Sequence, residues 1–414
     1  VQNIQNPAEE TTLLPYETAL DIVSRTFLRL HPDNEIIPVQ SALHRTLAED
    51  VYTDIAQPSF DNSSMDGIAI RYASGVTEWE LIGEAAAGDA HSITTGGHTA
   101  AVLIMTGARM PQFADTVIPV EKIRQEGDKF RLADGYIVKQ GSNVRFAGSD
   151  CTAGTKVLER GTVLVPRHFH VLAAAGRSTI AVLKPLKMAF LSTGNELISP
   201  TQSPTGSQVR LTSNSFLSAA ILQSKQIPVP LGVVQDDYDA LLTAVSSALA
   251  SDISVLMTTG GVSAGKYDLL PSVFQQCGVT PLFHKVNIKP GKPLHFGSYQ
   301  QGKRTIVVIG FPGNPVSTSV NYELFVNPAL RALYQQEAIC SLYAVLTHPL
   351  VEKDSRRSFS RGSLRQDGNR FTVTPFPSLR SSNMFELAQA NCLIEVPETI
   401  ESLPAGSEVR CIRI

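Results

Sequence analysis

LKMAFLSTG (Leu186–Gly194), NSFLSAAILQSK (Asn214–Lys225), PVPLGVVQ (Pro228–Gln235), YDALLTAVSSALA (Tyr238–Ala250) and ISVLMTTGG (Ile253–Gly261) follow one another along the chain. The first, third and fifth are short apolar runs of strand character, and the two between them carry apolar residues at helical spacing. That alternation predicts parallel βαβ units and a sheet covered on both faces by helices. It continues through LLPSVFQQC (Leu269–Cys277), LFHKVNI (Leu282–Ile288), TIVVIGFPGNP (Thr305–Pro315) and a last helix from about Pro315 to Tyr334. Open sheets of this kind bind ligands beyond the carboxyl ends of their strands. The expected strands run into STGNEL, QDD, TTGGVSAGKYD, NIKPGKP and GFPGNP, so the active site is expected on that edge.

Outward from this segment the character changes on both sides. Pro15 to Leu30 reads as an amphipathic surface helix, and VQSALHRTLAEDVYTDI (Val39–Ile55) as a short helix and an extended piece leading into Pro58. Gly67 to about Arg145 consists of short β-rich runs separated by Gly and Asp turns. Helical character is expected again between Cys151 and Leu183, and β character beyond Leu342. The expected organisation is a discontinuous N-terminal domain of residues 1–54 and 146–183, an inserted β-rich domain of 55–145, an α/β domain of 184–336 and a C-terminal β domain of 337–414. A chain of 414 residues exceeds what one core usually organises.

Composition excludes several classes. Lys plus Arg number 35 against 38 Asp plus Glu, leaving a formal charge of −3 and no electrostatic footprint for nucleic acid. The five cysteines, Cys151, Cys277, Cys340, Cys392 and Cys411, never form CxxC, which argues against a disulfide framework or a cysteine zinc site. No apolar stretch approaches a membrane span, and the opening VQNIQNPAEE lacks the basic and apolar regions of a secretory signal. A soluble cytoplasmic protein is expected. The HxH of His168 and His170 has no third ligand and reads as structural.

The chemistry concentrates in the loops. TTGGVSAGKYD (Thr258–Asp268) closes a strand with Gly260 and Gly261, which let backbone N–H groups approach an anion with no Cβ in the way. Tyr267 stands where a nucleotide-triphosphate P-loop needs the short aliphatic hydroxyl of Ser or Thr, so that motif is excluded; standing alone, the segment could equally be a tight turn. NIKPGKP sets Lys289 and Lys292 around a stiff Pro-Gly pair, as two ammonium groups converging on an oxyanion. GFPGNPVS (Gly310–Ser317) leads into a helix start that favours negative charge. Glu196, Asp236, Asp237 and Asp268 sit in the same loops; each alone reads as a cap or solvated acid, but together with a phosphate cradle they imply a divalent cation, for which magnesium fits best.

DNSSMDGIAI, MTGARMPQFADTVIPVE, STGNEL, TTGGVSAGKYD, NIKPGKPLHFG and GFPGNPVS, in this order, resemble the MoeA-type molybdopterin molybdenumtransferases and the gephyrin E domain. The resemblance runs from about Pro15 to the C-terminus and takes in RFAGSD (Arg145–Asp150) and SSNMFELAQANCLIEVPE (Ser381–Glu398). It implies an elongated multi-domain fold of α/β plus β class, with a MogA-like doubly wound molybdopterin-binding domain, a β-rich insert and a C-terminal β-barrel. It implies a homodimer with shared active sites, in which the α/β domain of one subunit faces the β-rich domain of its partner.

The implied reaction joins molybdate to adenylyl-molybdopterin, giving molybdenum cofactor and AMP, with Mg2+ on the phosphates. The implied catalytic set is Asp61, Thr106 and Asp150 from the other subunit, with Glu196, Asp236 and Asp268, the last three also as metal ligands. Lys289, Lys292, Ser263 and Ser317 match family positions near the pterin and oxyanion, and Arg361 and Ser382 positions that hold molybdate. Thr193, Gly194, Asn214, Thr259, Gly260, Gly261, Pro312, Gly313, Asn314 and Pro315 complete the implied cofactor-binding set. Asn195, Ile68 and the loop VRLTSN (Val209–Asn214) depart from the family pattern, so Arg210 and Leu211 are not expected in the site. Molybdopterin adenylyltransferase and molybdoenzyme chaperones are the implied protein contacts; no nucleic acid or membrane partner is expected. Adenylyltransferase activity, or a non-catalytic molybdopterin-binding scaffold, are the competing readings.

Overall fold

The computed structural model describes residues 13–89, 93–262, 268–352, 354–377 and 383–414. They form two compact units: Ile36–Val182, and Leu183–Ile414 together with the chain up to Glu35. Helix α1 (Tyr16–Phe27) belongs to the second of these and matches the expected stripe. Tyr16, Ala19, Val23 and Phe27 are buried on one face, with the Tyr16 ring edge-on to Phe325 and Phe359 at 5.6 and 5.1 Å. The opposite face carries the exposed Asp21–Arg25 pair.

In the unit Ile36–Val182, strands β1 (Gly67–Ile70), β2 (Glu78–Ala85), β3 (Ala100–Ile104), β4 (Thr116–Pro119), β5 (Ile123–Glu126) and β6 (Lys129–Leu132) form one sheet in the order β4-β1-β3-β2-β6-β5. All pairs are antiparallel except β2 with β3. Successive residues of a strand point to opposite faces, and both faces are used. Ala69, Val102 and Val117 enter one core, Ile68, Ile70, Ala101 and Ile118 another. A Cβ on Gly67 would lie 2.0 Å from the Ile118 carbonyl oxygen, so only glycine lets β1 run this close to β4. A third core, with Leu47, Leu164, Leu172 and Val182, is closed by helix α2 (Pro166–Ala174). The structure corrects two expectations here. The Val39 helix is a single 3-10 turn, Val39–Ser41, and between Cys151 and Leu183 α2 is accompanied by strands Lys156–Leu158 and Thr179–Leu183 rather than further helices. Segments this short do not sustain the costly helical nucleus.

The second unit continues with β7 (Lys187–Thr193), α3 (Ser213–Gln223), β8 (Ile227–Val234), α4 (Tyr238–Ala250), β9 (Val255–Thr259), α5 (Leu270–Gln276), β10 (Thr280–Lys285), β11 (Pro293–Gln301), β12 (Arg304–Phe311) and α6 (Pro315–Asn321). A π-helical turn, Tyr322–Val326, joins α6 to α7 (Asn327–Leu333). The sheet order is β8-β7-β9-β12-β11-β10. The first four strands are parallel, as the alternation predicts. Strand β11, PLHFGSYQQ, was not expected from that alternation: it runs antiparallel to β12 and to β10, joined to β12 across Gly302–Lys303. Two reversals bring β10 back into line with the parallel strands, so the NIKPGKP loop after it still lies at their carboxyl edge. Ala189 and Leu191 face the core under α4 and α5, whereas Met188 and Phe190, equally buried, must point to the other face, where α3 and α6 pack.

Strands β13 (Ser341–Leu346), β14 (Arg357–Asp367), β15 (Arg370–Pro375), β16 (Cys392–Val396) and β17 (Glu408–Arg413) follow, with helix α8 (Met384–Leu387) between β15 and β16. Each strand pairs with the next in the order β14-β15-β13-β17-β16, and β16 pairs back to β14, closing a five-strand barrel. Its core holds Leu364, Val373, Ile394, Val396 and Val409. Ile288–Lys289 pairs with β14 and so ties the NIKPGKP loop to the barrel.

Candidate active site

The carboxyl ends of β7, β9 and β12 surround a cavity of about 590 Å3. Thr193, Gly194, Glu196, Asp236, Thr259, Gly260, Gly261, Asp268, Pro312, Gly313, Asn314 and Pro315 all line it. Its cradle is made of backbone. At Gly260, with φ +92°, an added Cβ would lie 2.6 Å from the Thr193 carbonyl oxygen. A Cβ on Gly313 would lie 3.5 Å from the Gly260 Cα, so the two strand ends nearly touch. The Glu196 carboxylate folds over Gly194, where a Cβ would meet its oxygens at 2.8 and 2.9 Å.

Hydrogen bonds stiffen this rim. The Thr193 hydroxyl donates to Asp236, and the Asp236 N–H donates to Asn195 Oδ1 at 3.1 Å, which gives the Asn195 amide a role in holding the rim. Ser192 Oγ lies 2.6 Å from Thr259 Oγ1 and donates to Asn214 Oδ1 at 2.7 Å. Asn214 therefore ties α3 to β7 and is absent from the cavity lining. Asp237 caps α4 by accepting from Ala240 N–H at 2.9 Å. Among the described residues, no three His, Cys, Asp or Glu side chains gather into a metal-holding group. Glu196, Asp236 and Asp268 share the cavity without forming such a group.

Val209, Arg210, Leu211, Thr212 and Ser213 form one wall, correcting the expectation that Arg210 and Leu211 stay out of the site. Residues Val209–Arg210 pair alongside Leu197–Ile198, so the wall is fixed by backbone pairing that composition could not reveal. Leu197, Val262, Pro293 and Met384 complete the lining. Ser263 and Ser382 lie outside the described residues.

The two lysines are placed differently with respect to the cavities. Lys289 and Arg361 border a separate cavity of about 20 Å3 with Pro290, Val316, Glu352, Ser358, Phe359 and Ser360. Lys289 Nζ lies 2.5 Å from Glu352 Oε1 and 3.9 Å from Asp354 Oδ2. Lys292 is half-buried and lines neither cavity. Pairing of Ile288–Lys289 with β14 turns the first lysine toward the barrel acids, a contact between residues distant in sequence. Arg361 is 5% exposed; it donates to the Asn383 carbonyl at 3.0 Å and lies 3.3 Å from Glu386 Oε2. Burial lowers its pKa and the Glu386 charge opposes that shift. Ser317 is buried in α6.

Within the other unit, Asp61, Thr106 and Asp150 are exposed and grouped around the DNSSMD loop. Asp61 Oδ1 accepts from Ala147 N–H at 2.7 Å, and Arg145 Nη2 holds Asp150 at 2.5 Å. The N–H and hydroxyl of Thr106 both donate to Asp66 Oδ1, at 2.7 and 2.8 Å, and these bonds lower the Asp66 pKa. Asp66 had been passed over, although it stands in the same motif. Arg109 lies over the Phe60 ring at 4.3 Å. His168 Nδ1 accepts from Val165 N–H at 3.3 Å at the start of α2, a structural role as expected.

Three family models match the chain: the MoeA N-terminal region (domain I and II) over residues 14–176, a probable molybdopterin binding domain over 189–332, and the MoeA C-terminal region (domain IV) over 343–414. The molybdopterin molybdenumtransferase of Synechocystis sp. is 31% identical across 89% of this chain and 92% of its own length. The chain belongs to the MoeA family. Another MoeA relative, the molybdopterin molybdenumtransferase of Bacillus subtilis, is 29% identical over 98% of this chain and 95% of its own. A crystal structure of a molybdopterin biosynthesis MoeA protein from Pyrococcus horikoshii superposes with a TM-score of 0.81 at 28% identity, covering 97% of this chain and 99% of that one. The α/β sheet and closed barrel are thus the MoeA fold.

Proposed function

We propose that this MoeA-family chain inserts molybdenum into molybdopterin: adenylyl-molybdopterin and molybdate give molybdenum cofactor, AMP and water. The observation that carries this reading is the strand-end cavity of about 590 Å3, where a glycine-built cradle faces Glu196, Asp236 and Asp268. Backbone N–H groups of such a cradle suit a pyrophosphate, and the walls leave room for a pterin. One or two of the three acids, with phosphate oxygens, would hold Mg2+, which would neutralise charge on the breaking phosphoanhydride. The protein's own part is to bind and orient the two substrates. Molybdate is a dianion that needs N–H or cationic donors, while the pterin's dithiolene supplies the sulfur, so no protein thiol is required.

Lys289, Arg361, Ser317, Ser382, Ser263 and Lys292 are assigned to the oxyanion and pterin on the family resemblance. Asp61, Thr106 and Asp150 are assigned to the cleft of a partner subunit in a homodimer. The domain bounds 1–54 with 146–183, 55–145, 184–336 and 337–414 belong to the same reading. Five free cysteines suit a reducing cytoplasm. Family matches on both sides of the molybdopterin-binding domain disfavour an adenylyltransferase.

The test is to incubate the purified chain with adenylyl-molybdopterin, molybdate and Mg2+ and to follow AMP. Molybdate-dependent release, lost without Mg2+, is expected. Release indifferent to molybdate would overturn the reading.

A further inference from the structure

The small cavity beside the barrel holds an acid that the reaction as proposed does not use. Glu352 is 1% exposed. Its Oε1 faces Lys289 Nζ at 2.5 Å, and its Oε2 accepts from the Ser358 hydroxyl at 2.6 Å. A carboxylate so far from water needs a charged partner. Its neighbour Asp354 is engaged by Arg356, which holds that carboxyl down to about 2; the Arg356 charge also acts on Glu352, but among the described residues Lys289 is the cation at salt-bridge distance from it.

The loop carrying Lys289 is gripped from its other side as well. Asn321, fully buried on α6, donates from Nδ2 to the Gly291 carbonyl at 3.2 Å. A Cβ on Gly291 would lie 2.4 Å from Asn321 Oδ1, so the backbone there is pressed against the helix. Lys289 thus stands between two fixed points, a barrel acid and a helix amide.

We propose that Glu352 is a positioning residue for Lys289: by accepting one ammonium N–H in a charge-assisted hydrogen bond, it directs the remaining N–H donors toward an incoming oxyanion beside Arg361. An ammonium has three donors and no acceptor, so one bond to Glu352 leaves two to offer. The pairing also cancels the lysine charge, so the cavity selects by donor geometry rather than by net positive charge. This inference rests on the proposed role of Lys289 in holding molybdate.

Glu352→Gln keeps the shape and an acceptor for Lys289, whereas Glu352→Ala removes both. The full-length Glu352→Ala variant should raise the apparent KM for molybdate by about tenfold, with kcat for AMP release within about threefold of wild type. Glu352→Gln should restore KM to within about threefold. A second readout needs no turnover: an amine-reactive reagent, followed by mass spectrometry of the Lys289 peptide, should label Glu352→Ala several times faster than wild type.

Faster labelling with unchanged KM would leave Glu352 holding Lys289 and discard the link to molybdate. Labelling unchanged in both variants would overturn the positioning role itself. Wild type that releases no molybdate-dependent AMP, yet shows the labelling difference, would instead fault the proposed function. Should Glu352→Ala fail to fold, Ser358→Ala loosens the same carboxylate and should give the same KM shift in smaller measure; no shift there counts against the proposal.

Discussion

Two of the cavities in the α/β and barrel unit, the strand-end cavity and the one beside Lys289, are built from different materials. The larger is a backbone construction: Gly260 and Gly313 bring strand ends together, and Gly194 makes room for a carboxylate. The smaller is a side-chain construction, in which Lys289 and Arg361 are each already matched by an acid, Glu352 and Glu386. A backbone cradle depends on what is missing from a few glycines. A charge cradle depends on partners brought from far along the chain, and it fails when either partner is removed.

The sharpest way to break that contrast is Lys289→Met, which strands Glu352 without a counter-ion. A loss of about 3–5 kcal/mol is expected in denaturant unfolding, and the double change with Glu352→Gln should recover most of it. An undisturbed unfolding midpoint would show that the pair is not a structural unit. In the larger cavity, Gly260→Val combines a positive φ with a clash against the Thr193 carbonyl, and should cost about 2–4 kcal/mol. AMP release should fall by on the order of a hundredfold, because the cradle is filled. Retained turnover would remove the cradle from the mechanism.

Acid sharpens the comparison next. His295 of β11, 5% exposed, has neither ring nitrogen hydrogen-bonded among the described residues. Burial, with a smaller contribution from the His284 charge, holds its pKa down to about 4 from 6.5. The unfolded chain then binds the extra proton between those values. Stability is intact above pH 6.5 and is lost as pH falls toward 4, by roughly 3 kcal/mol in all. His295→Phe should flatten that part of the stability profile, and a profile equally steep in the variant would discard the assignment. Lastly, Asp268→Asn should slow AMP release by about ten- to a hundredfold while moving stability by less than about 0.5 kcal/mol. Unchanged turnover would take Asp268 out of the site.

The loops STGNEL, TTGGVSAGKYD and GFPGNPVS could be placed from sequence because βαβ alternation sends every carboxyl end of the parallel strands to one edge. The antiparallel β11 escaped that reading, since its buried core is only four residues long, includes Gly297 and the polar His295, and turns straight back into β12 with no intervening helix. The Val209–Thr212 wall escaped it for another reason: its inward placement depends on pairing with Leu197–Ile198. His168 could be read as structural because its helix-cap role is local.

By itself, then, the amino-acid order determined helix α1, the parallel strands and helices of the α/β segment and which of its loops gather at the sheet edge, because periodicity and glycine placement act over a few residues. Only the tertiary structure decided where Lys289 points, that Thr106 donates to Asp66, and that Glu352 lies buried against Lys289. Those outcomes depend on Coulomb contacts and hydrogen bonds between residues as far apart as 63 positions, for which no local spacing exists to be read.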